Sequence, residues 1–343
     1  MLAIISVILF HIFGSTNQMT VGGYGAPPSL SWFINDVNVV CFRFGVDLFL
    51  MLSGALSLGR NWDIKSFLGK RFPRIIGPFV FWGFILSLVS VLISYFYPNV
   101  LKTIDPYTIY NFLIYLVNSY LVNNENFGPY WFFWMILGTY LIMPILNKWL
   151  LNSELKEAEY FLAIWAITCI FDFTFFINIP INLNYFTGPI GMVVLGYYLR
   201  HTKRKIFNNV NYSIIFIIIS ALLLLLVSHM LSTSSGYYIF NRYNILIVIE
   251  VIGIFNLLKN LNLDLDSSSI FYKTTFSIAK YSYGIYLIHQ FVIFIVMVIL
   301  NEFISIGPVY YMLILFVCTL CGSWGLLAML NRIPYVNRVI GAK

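Results

Sequence analysis

Long apolar segments separated by short polar stretches make up most of this chain. A helix needs about 20 predominantly apolar residues to cross a bilayer, and most of the segments approach or exceed that length. The first and the sixth are shorter, and a tilted or partly buried helix would explain the sixth. The ten segments run near residues 1–13, 37–57, 74–97, 130–150, 158–178, 186–199, 212–231, 240–258, 281–301 and 308–330. The pattern predicts an all-α fold, a polytopic membrane helical bundle with about ten transmembrane helices.

Basic residues are concentrated in alternate loops between these segments. The positive-inside rule assigns such loops to the cytoplasmic side, and the alternation then predicts that both termini are cytoplasmic. The longest loop on the opposite side, 98–129, contains a stretch at 107–122 that is rich in Tyr and Asn and predicts an amphipathic or re-entrant segment. The two largest basic groups are Arg60, Lys65, Lys70, Arg71 and Arg74, and then Arg200, Lys203, Arg204 and Lys205.

Composition supports a membrane protein. The chain of 343 residues is 60% hydrophobic and 10% charged, whereas soluble domains carry about 25% charged residues. The apolar segments run almost without interruption, which predicts a single domain over residues 1–343. The net charge of +7 is accounted for by the loop topology, so no nucleic-acid partner is predicted. The four cysteines all lie in apolar segments, which predicts neither a disulfide framework nor a metal site.

Ionisable residues at bilayer depth are the first candidates for function. Each costs about 2.5–3.5 kcal/mol on insertion scales, so its retention indicates a role. Arg43 and Asp47 are four residues apart and share a helix face, which fits either a functional pair or an ion pair that stabilises the bundle. Glu250 is predicted to face the bundle interior. The full set is His11, Arg43, Asp47, Asp172, His229, Arg242, Glu250 and His289.

Five short motifs follow one another along the chain. They are the apolar run 2–11 ending in histidine (LAIISVILFH), 44–54 (FGVDLFLMLSG), the basic helix entry 70–75 (KRFPRI), 130–133 (YWFF) and 282–289 (SYGIYLIH). Each motif alone is weak, but five in this order on a ten-helix chain are fairly specific. Together they resemble the acyltransferase-3 family of bacterial membrane acyltransferases, and the resemblance spans nearly the whole chain.

The resemblance implies transfer of an acyl group, usually acetyl, from cytoplasmic acetyl-CoA to a hydroxyl of a cell-surface or lipid-linked glycan. The expected setting is the bacterial cytoplasmic membrane, with membrane lipid and the glycan acceptor as partners. Acetyl-CoA is expected as a co-substrate, with no permanently bound cofactor.

The resemblance also assigns roles to residues. His11 is the expected general base, with Asp47 orienting its ring and Arg43 stabilising the oxyanion. The phosphates of acyl-CoA are expected on basic residues at the cytoplasmic face, namely Lys70, Arg71, Arg74, Arg200, Lys203 and Arg204. A polar substrate channel is expected to involve Glu250, Trp131, Ser282, Tyr286 and His289.

Two departures from the family pattern keep other functions open. The family places an arginine eleven residues before the first-helix histidine, which falls one position before Met1, and Leu50 replaces a phenylalanine. We therefore expect the full gene product to extend upstream by roughly 8–15 residues, enough to complete the first span. A glycan or lipid transporter (or flippase) and an inactive paralogue are the alternatives, although the inverted repeats and paired broken helices typical of transporters are not evident in the sequence.

Overall fold

A computed structural model describes residues 1–20, 30–96, 113–114, 116–117, 120, 130–177, 180–230, 241–261, 266–303 and 306–342. Regular secondary structure in this part of the chain is helical throughout. The α-helices are α1 Leu2–Thr20, α2 Leu30–Phe42, α3 Gly45–Ser57, α4 Ile64–Phe96, α5 Tyr130–Leu151, α6 Leu155–Ile170, α7 Pro189–His201, α8 Val210–Met230, α9 Ile245–Asn260, α10 Ile270–Lys280, α11 Ser282–Phe303 and α12 Pro308–Leu330.

Helix occupies most of the described part of each of the ten predicted apolar segments. Seven helical stretches of the described chain are long and apolar enough to cross a membrane, and α1 contributes a shorter apolar stretch, Leu2–Ser15. The predicted all-α polytopic bundle is therefore confirmed. The predicted segment 107–122 lies largely outside the described residues, and the few of its residues that are described are helical.

Contacts in the described chain divide into two compact units. The His11 unit comprises Leu2–Asp63 and Leu141–Asp266, and the His289 unit comprises Met1, Ile64–Tyr140 and Ser267–Lys343. The boundaries fall within helix α5 and in the segments around residues 63 and 266, so each unit is assembled from separate stretches of sequence.

In the His11 unit, glycines allow helices to approach at backbone distance. A Cβ atom on Gly54 of α3 would lie 2.7 Å from the carbonyl carbon of Val193 in α7, and one on Gly196 would lie 2.6 Å from that of Met51. Gly253 of α9 is similarly close to α8, where a Cβ would lie 2.8 Å from the carbonyl oxygen of Ser213. Small residues at helix contacts are typical of membrane bundles, where close van der Waals packing replaces the hydrophobic effect.

The predicted second span breaks in its middle. Helix α2 ends at Phe42 and α3 begins at Gly45, although Asp36–Ser57 still counts as one apolar stretch of spanning length. At the break, the backbone N–H of Arg43 reaches the carbonyl of Val39 at a long 3.4 Å. Gly45 lies against α1, where a Cβ would be 2.7 Å from the carbonyl oxygen of Ala3. The break therefore occurs where the chain comes closest to α1.

Helix α8 presents an apolar outer surface. It is hydrophobic around its circumference, and its exposed side chains include Ile218, Leu222 and Leu226. A helix of this kind is stable against lipid, whereas such a continuous exposed apolar surface is rare on soluble monomers. Its exposure supports the membrane assignment.

In the His289 unit, residues of the 282–289 motif connect α11 to neighbouring elements through a hydrogen bond and close packing. The hydroxyl of Tyr283 donates to the carbonyl of Ile75 in α4 at 2.9 Å. Gly284 packs on Leu327, whose Cδ1 atom would lie 2.9 Å from an added Cβ. The indole of Trp82 in α4 donates to the carbonyl of Ile340 at 3.2 Å. The first half of this family motif therefore has a packing role.

Candidate active site

His11, Phe10 and Arg43 form a compact group in the His11 unit. The guanidinium carbon of Arg43 lies 4.8 Å from the centre of the Phe10 ring, a cation–π distance. The Phe10 and His11 rings meet edge to face with their centres 5.6 Å apart. Because Arg43 lies at the α2–α3 break, its side chain reaches α1 beside the predicted general base. The structure therefore brings Arg43 into the neighbourhood of His11.

Helices α1 and α2–α3 run antiparallel, as their contacts show. Gly14 approaches Asn38, the Ser6 hydroxyl donates to the Phe42 carbonyl at 2.7 Å, and Gly45 faces Ala3. Asp47 is four residues beyond Arg43, which corresponds to about 6 Å along a helix. Arg43 therefore lies between the level of His11 and the level of Asp47.

Asp47 is completely buried, and its expected bond to His11 is not present. Neither of its carboxylate oxygens accepts a hydrogen bond from any residue of the described chain. In this structure Asp47 therefore does not orient the His11 ring directly. Sequence analysis treated residues 37–57 as one helix, and the α2–α3 break interrupts that helix between Phe42 and Gly45.

The neighbours of Asp47 come from three other regions of the sequence. The guanidiniums of Arg242 and Arg43 both lie within electrostatic range of its carboxyl group. The charge of Asp47 also acts on Cys169, at the end of α6, and on Glu250 of α9. The carboxyls of Asp47 and Glu250 are buried, whereas the side chains of Arg43 and Arg242 are half-buried. Sequence analysis included Arg242 among the ionisable residues at bilayer depth and did not connect it with Asp47.

Arg242 lies in the turn before α9, and the start of that helix is held by defined hydrogen bonds. The Asn244 side chain caps the helix by accepting from the backbone N–H of Leu246 at 2.9 Å. The preceding backbone N–H, of Ile245, donates to the hydroxyl of Thr174 at 2.9 Å. Thr174 belongs to a π-helical turn, Phe171–Phe175, that follows α6. Such turns occur frequently at functional sites.

A second buried carboxyl was missed by the sequence analysis. Asp36 is 1% exposed and accepts a hydrogen bond from the hydroxyl of Ser228 in α8 at 2.6 Å. It lies one residue before the predicted apolar segment 37–57, which is why it was not counted among residues at bilayer depth. Glu250, which was predicted to face the bundle interior, is buried as expected at 3% exposure.

The predicted acyl-CoA ligands of the His11 unit differ in their availability. Arg204 binds Glu159 through both its Nε and Nη2 atoms, and the Glu159 carboxylate also accepts from the hydroxyl of Tyr198 at 2.8 Å. The hydrogen bond to Glu159 holds the pKa of Arg204 above its usual value. Arg200 donates from Nη1 to the carbonyl of Ala55. Lys203 is exposed.

In the His289 unit, the three basic residues of α4 also differ. Arg71 is half-buried, and its guanidinium carbon lies 5.7 Å from the ring centres of both Phe67 and Tyr140. Lys70 and Arg74 are exposed. Aromatic packing orients Arg71, whereas Lys70 and Arg74 point to solvent or to the membrane surface.

The predicted channel residues of the His289 unit form an aromatic group with one histidine. The rings of Phe132 and Tyr286 are 4.7 Å apart, and Trp131 meets Phe132 edge to face at 6.0 Å. His289 is fully buried and its Nδ1 donates to the carbonyl of Tyr286 at 2.7 Å. Ser282 is the half-buried first residue of α11. Glu250, the remaining predicted channel residue, belongs to the other unit.

These features define an integral-membrane protein with a histidine–arginine group inside its helical bundle. The family model described as an acyltransferase domain matches residues 1–328. The chain belongs to the acyltransferase-3 family, as the five motifs indicated, and it is a membrane acyltransferase. We found no match among curated proteins and none among solved structures.

Proposed function

We propose that the protein transfers an acyl group, in its simplest form acetyl, from cytoplasmic acyl-CoA to a hydroxyl of a cell-surface or lipid-linked glycan. One observation carries the proposal. In a chain of the acyltransferase family, a histidine of α1 lies beside an arginine that is held on the adjacent Phe10 ring. A base and a fixed cation side by side are what attack of a hydroxyl on a thioester requires.

The chemistry follows from those two groups. His11 takes the proton of the acceptor hydroxyl as its oxygen attacks the thioester carbonyl carbon. The new C–O bond forms while the carbonyl electrons move to oxygen, and the Arg43 guanidinium stabilises the resulting oxyanion. When the carbonyl re-forms, the C–S bond breaks and the departing thiolate receives the proton from His11. The products are the acylated glycan and free CoA.

The nucleotide end of acyl-CoA carries phosphates and does not partition into lipid. We therefore assign it to the basic residues predicted on the cytoplasmic side. Arg74 and Lys70 in the His289 unit and Lys203 in the His11 unit are the candidates whose side chains are exposed. Arg204 is a weaker candidate because Glu159 already accepts two hydrogen bonds from one edge of its guanidinium.

The test is a reconstitution of the purified chain in lipid with labelled acetyl-CoA. We expect free CoA thiol and label in the glycan fraction, both dependent on an added lipid-linked saccharide. His11→Ala should remove both signals, since loss of a general base costs typically 10²–10⁴-fold. His201→Ala is the matched control, because His201 is an exposed histidine at the end of α7. Equal activity of the two variants would overturn the assignment, and an inactive wild type would favour the inactive-paralogue alternative.

A further inference from the structure

Helix α10 is too short to cross a membrane, and it lies where a spanning helix begins. It has 11 residues, Ile270–Lys280, whereas a span needs about 20. A single residue separates it from α11, whose segment Ser282–Glu302 is of spanning length and composition. It is held in the His289 unit by the buried side chain of Ile278 and by Ser277, whose hydroxyl accepts a hydrogen bond from the indole of Trp324 in α12 at 3.0 Å. Helix α10 is therefore fixed at the edge of the bilayer.

The outward side of α10 is apolar and largely aromatic. Phe271 is 63% exposed and Phe276 is 62% exposed, and Ile270 is exposed to a still greater extent. The Tyr272 ring stacks on Phe276, with the ring centres 6.2 Å apart and the planes inclined by 13°. A contiguous exposed apolar patch marks an interaction surface, and aromatic rings are enriched at the membrane–water interface. This side of α10 therefore fits the interfacial layer of a bilayer.

Basic side chains lie beside that aromatic side. Lys273 is three residues before Phe276 and Lys280 is four residues after it, and residues at these spacings are neighbours on a helix surface. Lys273 is exposed and Lys280 is half-buried. Long lysine side chains can bury their stems along apolar surface and keep the ammonium group in the polar layer. Helix α10 therefore presents two positive charges next to its exposed rings.

The C-terminal segment adds positive charge to the same end of the His289 unit. It packs on the start of α11, where a Cβ on Gly341 would lie 2.8 Å from the backbone nitrogen of Gly284. Arg338, three residues before Gly341, is exposed, and its guanidinium carbon lies 5.6 Å from the centre of the exposed Tyr335 ring. In the sequence of residues 266–284 and 331–342, the basic residues are Lys273, Lys280, Arg332 and Arg338 and the acidic residue is Asp266. This surface is therefore complementary to an anionic partner.

We propose that α10 binds the headgroups of anionic phospholipids in the cytoplasmic leaflet. Lys273 and Lys280 contact the lipid phosphates, and the exposed rings of Phe271 and Phe276 enter the boundary between headgroups and acyl chains. Helices that combine an apolar aromatic side with basic residues lie in the interface plane, and attraction to anionic lipid adds to the burial of their apolar surface. The inference concerns lipid binding and does not depend on acyl transfer.

Hydrogen exchange of the full chain in lipid nanodiscs tests the proposal. Nanodiscs of phosphatidylcholine alone are compared with nanodiscs of equal parts phosphatidylcholine and phosphatidylglycerol. The amides of α10 should exchange more slowly in the anionic nanodiscs, by about fivefold for each lysine that contacts lipid, which is the scale for one basic residue at an anionic surface. Added salt should remove this slowing because it screens exposed charges.

Three variants separate lipid binding from anchorage to the bundle. Lys273→Gln combined with Lys280→Gln should abolish the slowing in anionic nanodiscs and should exchange as wild type does in phosphatidylcholine. Lys148→Gln combined with Lys156→Gln is the matched control, because both are exposed lysines of the His11 unit, and it should keep the slowing. Ser277→Ala removes the bond to Trp324 and should speed the exchange of α10 equally in both kinds of nanodisc.

The same measurements can refute the proposal. Equal exchange of α10 in the two kinds of nanodisc would overturn it, as would an undiminished slowing in the Lys273→Gln and Lys280→Gln double variant. Acetyl-CoA added to phosphatidylcholine nanodiscs should not slow the exchange of α10; slowing as large as that from phosphatidylglycerol would assign the lysines to the nucleotide instead. If the double variant does not accumulate, each single variant should lose about fivefold of the slowing, and no loss in either would overturn the proposal.

Discussion

The crossing of α3 and α7 gives a sharp test of how the fold supports the site. Gly54 and Gly196 lie reciprocally against backbone, so an added methyl at either meets a carbonyl group that has no rotamer to adopt. A Cβ on Gly54 would be 2.7 Å from the carbonyl carbon of Val193 and must move to 3.4 Å for ordinary contact. The helices would therefore have to separate by at least about 0.7 Å.

Overpacking of this kind costs about 1–3 kcal/mol. We expect Gly54→Ala and Gly196→Ala each to lower the thermal unfolding midpoint in detergent. Because Asp47 is carried by α3, we also expect a fall in turnover that approaches the 10²-fold scale of a 1 Å misplacement. The double variant should cost less than the sum of the singles, since one separation of the helices accommodates both methyl groups.

Gly138 provides the control. It lies inside α5 and a Cβ there would meet nothing within 4 Å, so Gly138→Ala is expected to be neutral or stabilising by up to about 1 kcal/mol. The assay is a fluorescence-detected thermal scan of the purified variants, paired with acetyl-CoA turnover. The close crossing does not exist in the membrane if Gly54→Ala and Gly196→Ala have the same thermal unfolding midpoint as Gly138→Ala and the same acetyl-CoA turnover as the wild type.

Three further results are expected from the basic residues. Arg74→Ala should raise KM for acetyl-CoA, and added salt should raise the wild-type KM similarly, because salt screens exposed charge contacts. An unchanged KM would show that Arg74 does not bind acetyl-CoA and contributes only to membrane orientation. Lys203→Ala should behave in the same way, and a salt-independent KM in wild type would contradict both predictions. Arg204→Ala should leave KM for acetyl-CoA nearly unchanged because Glu159 already binds that guanidinium. Glu159→Gln should lower KM by releasing Arg204. A raised KM in Arg204→Ala with an unchanged KM in Glu159→Gln would show that Arg204 binds the nucleotide directly.

The amino-acid sequence by itself was sufficient to locate the helices and to identify the family. A chain in lipid needs long apolar runs whose backbone groups are hydrogen-bonded internally. Hydropathy therefore located the helices, including those of the short first and sixth segments, α1 and α7. The motif that ends in His11 and the motif that contains Asp47 identified the acyltransferase-3 family, and the family match confirmed it. These are local properties, because each depends on the chemistry of a short stretch of chain.

Tertiary structure decided which of the candidate site residues lie near one another. Arg242 is almost two hundred positions from Asp47, yet the fold brings its charge within electrostatic range of that carboxyl. The break after Phe42 arose where α1 passes Gly45, and it turned Arg43 toward Phe10. Hydropathy reports how strongly a side chain avoids water but not which distant helix face will cover it. The partners of buried charges are therefore chosen by packing between helices, which the order of residues along one helix does not reveal.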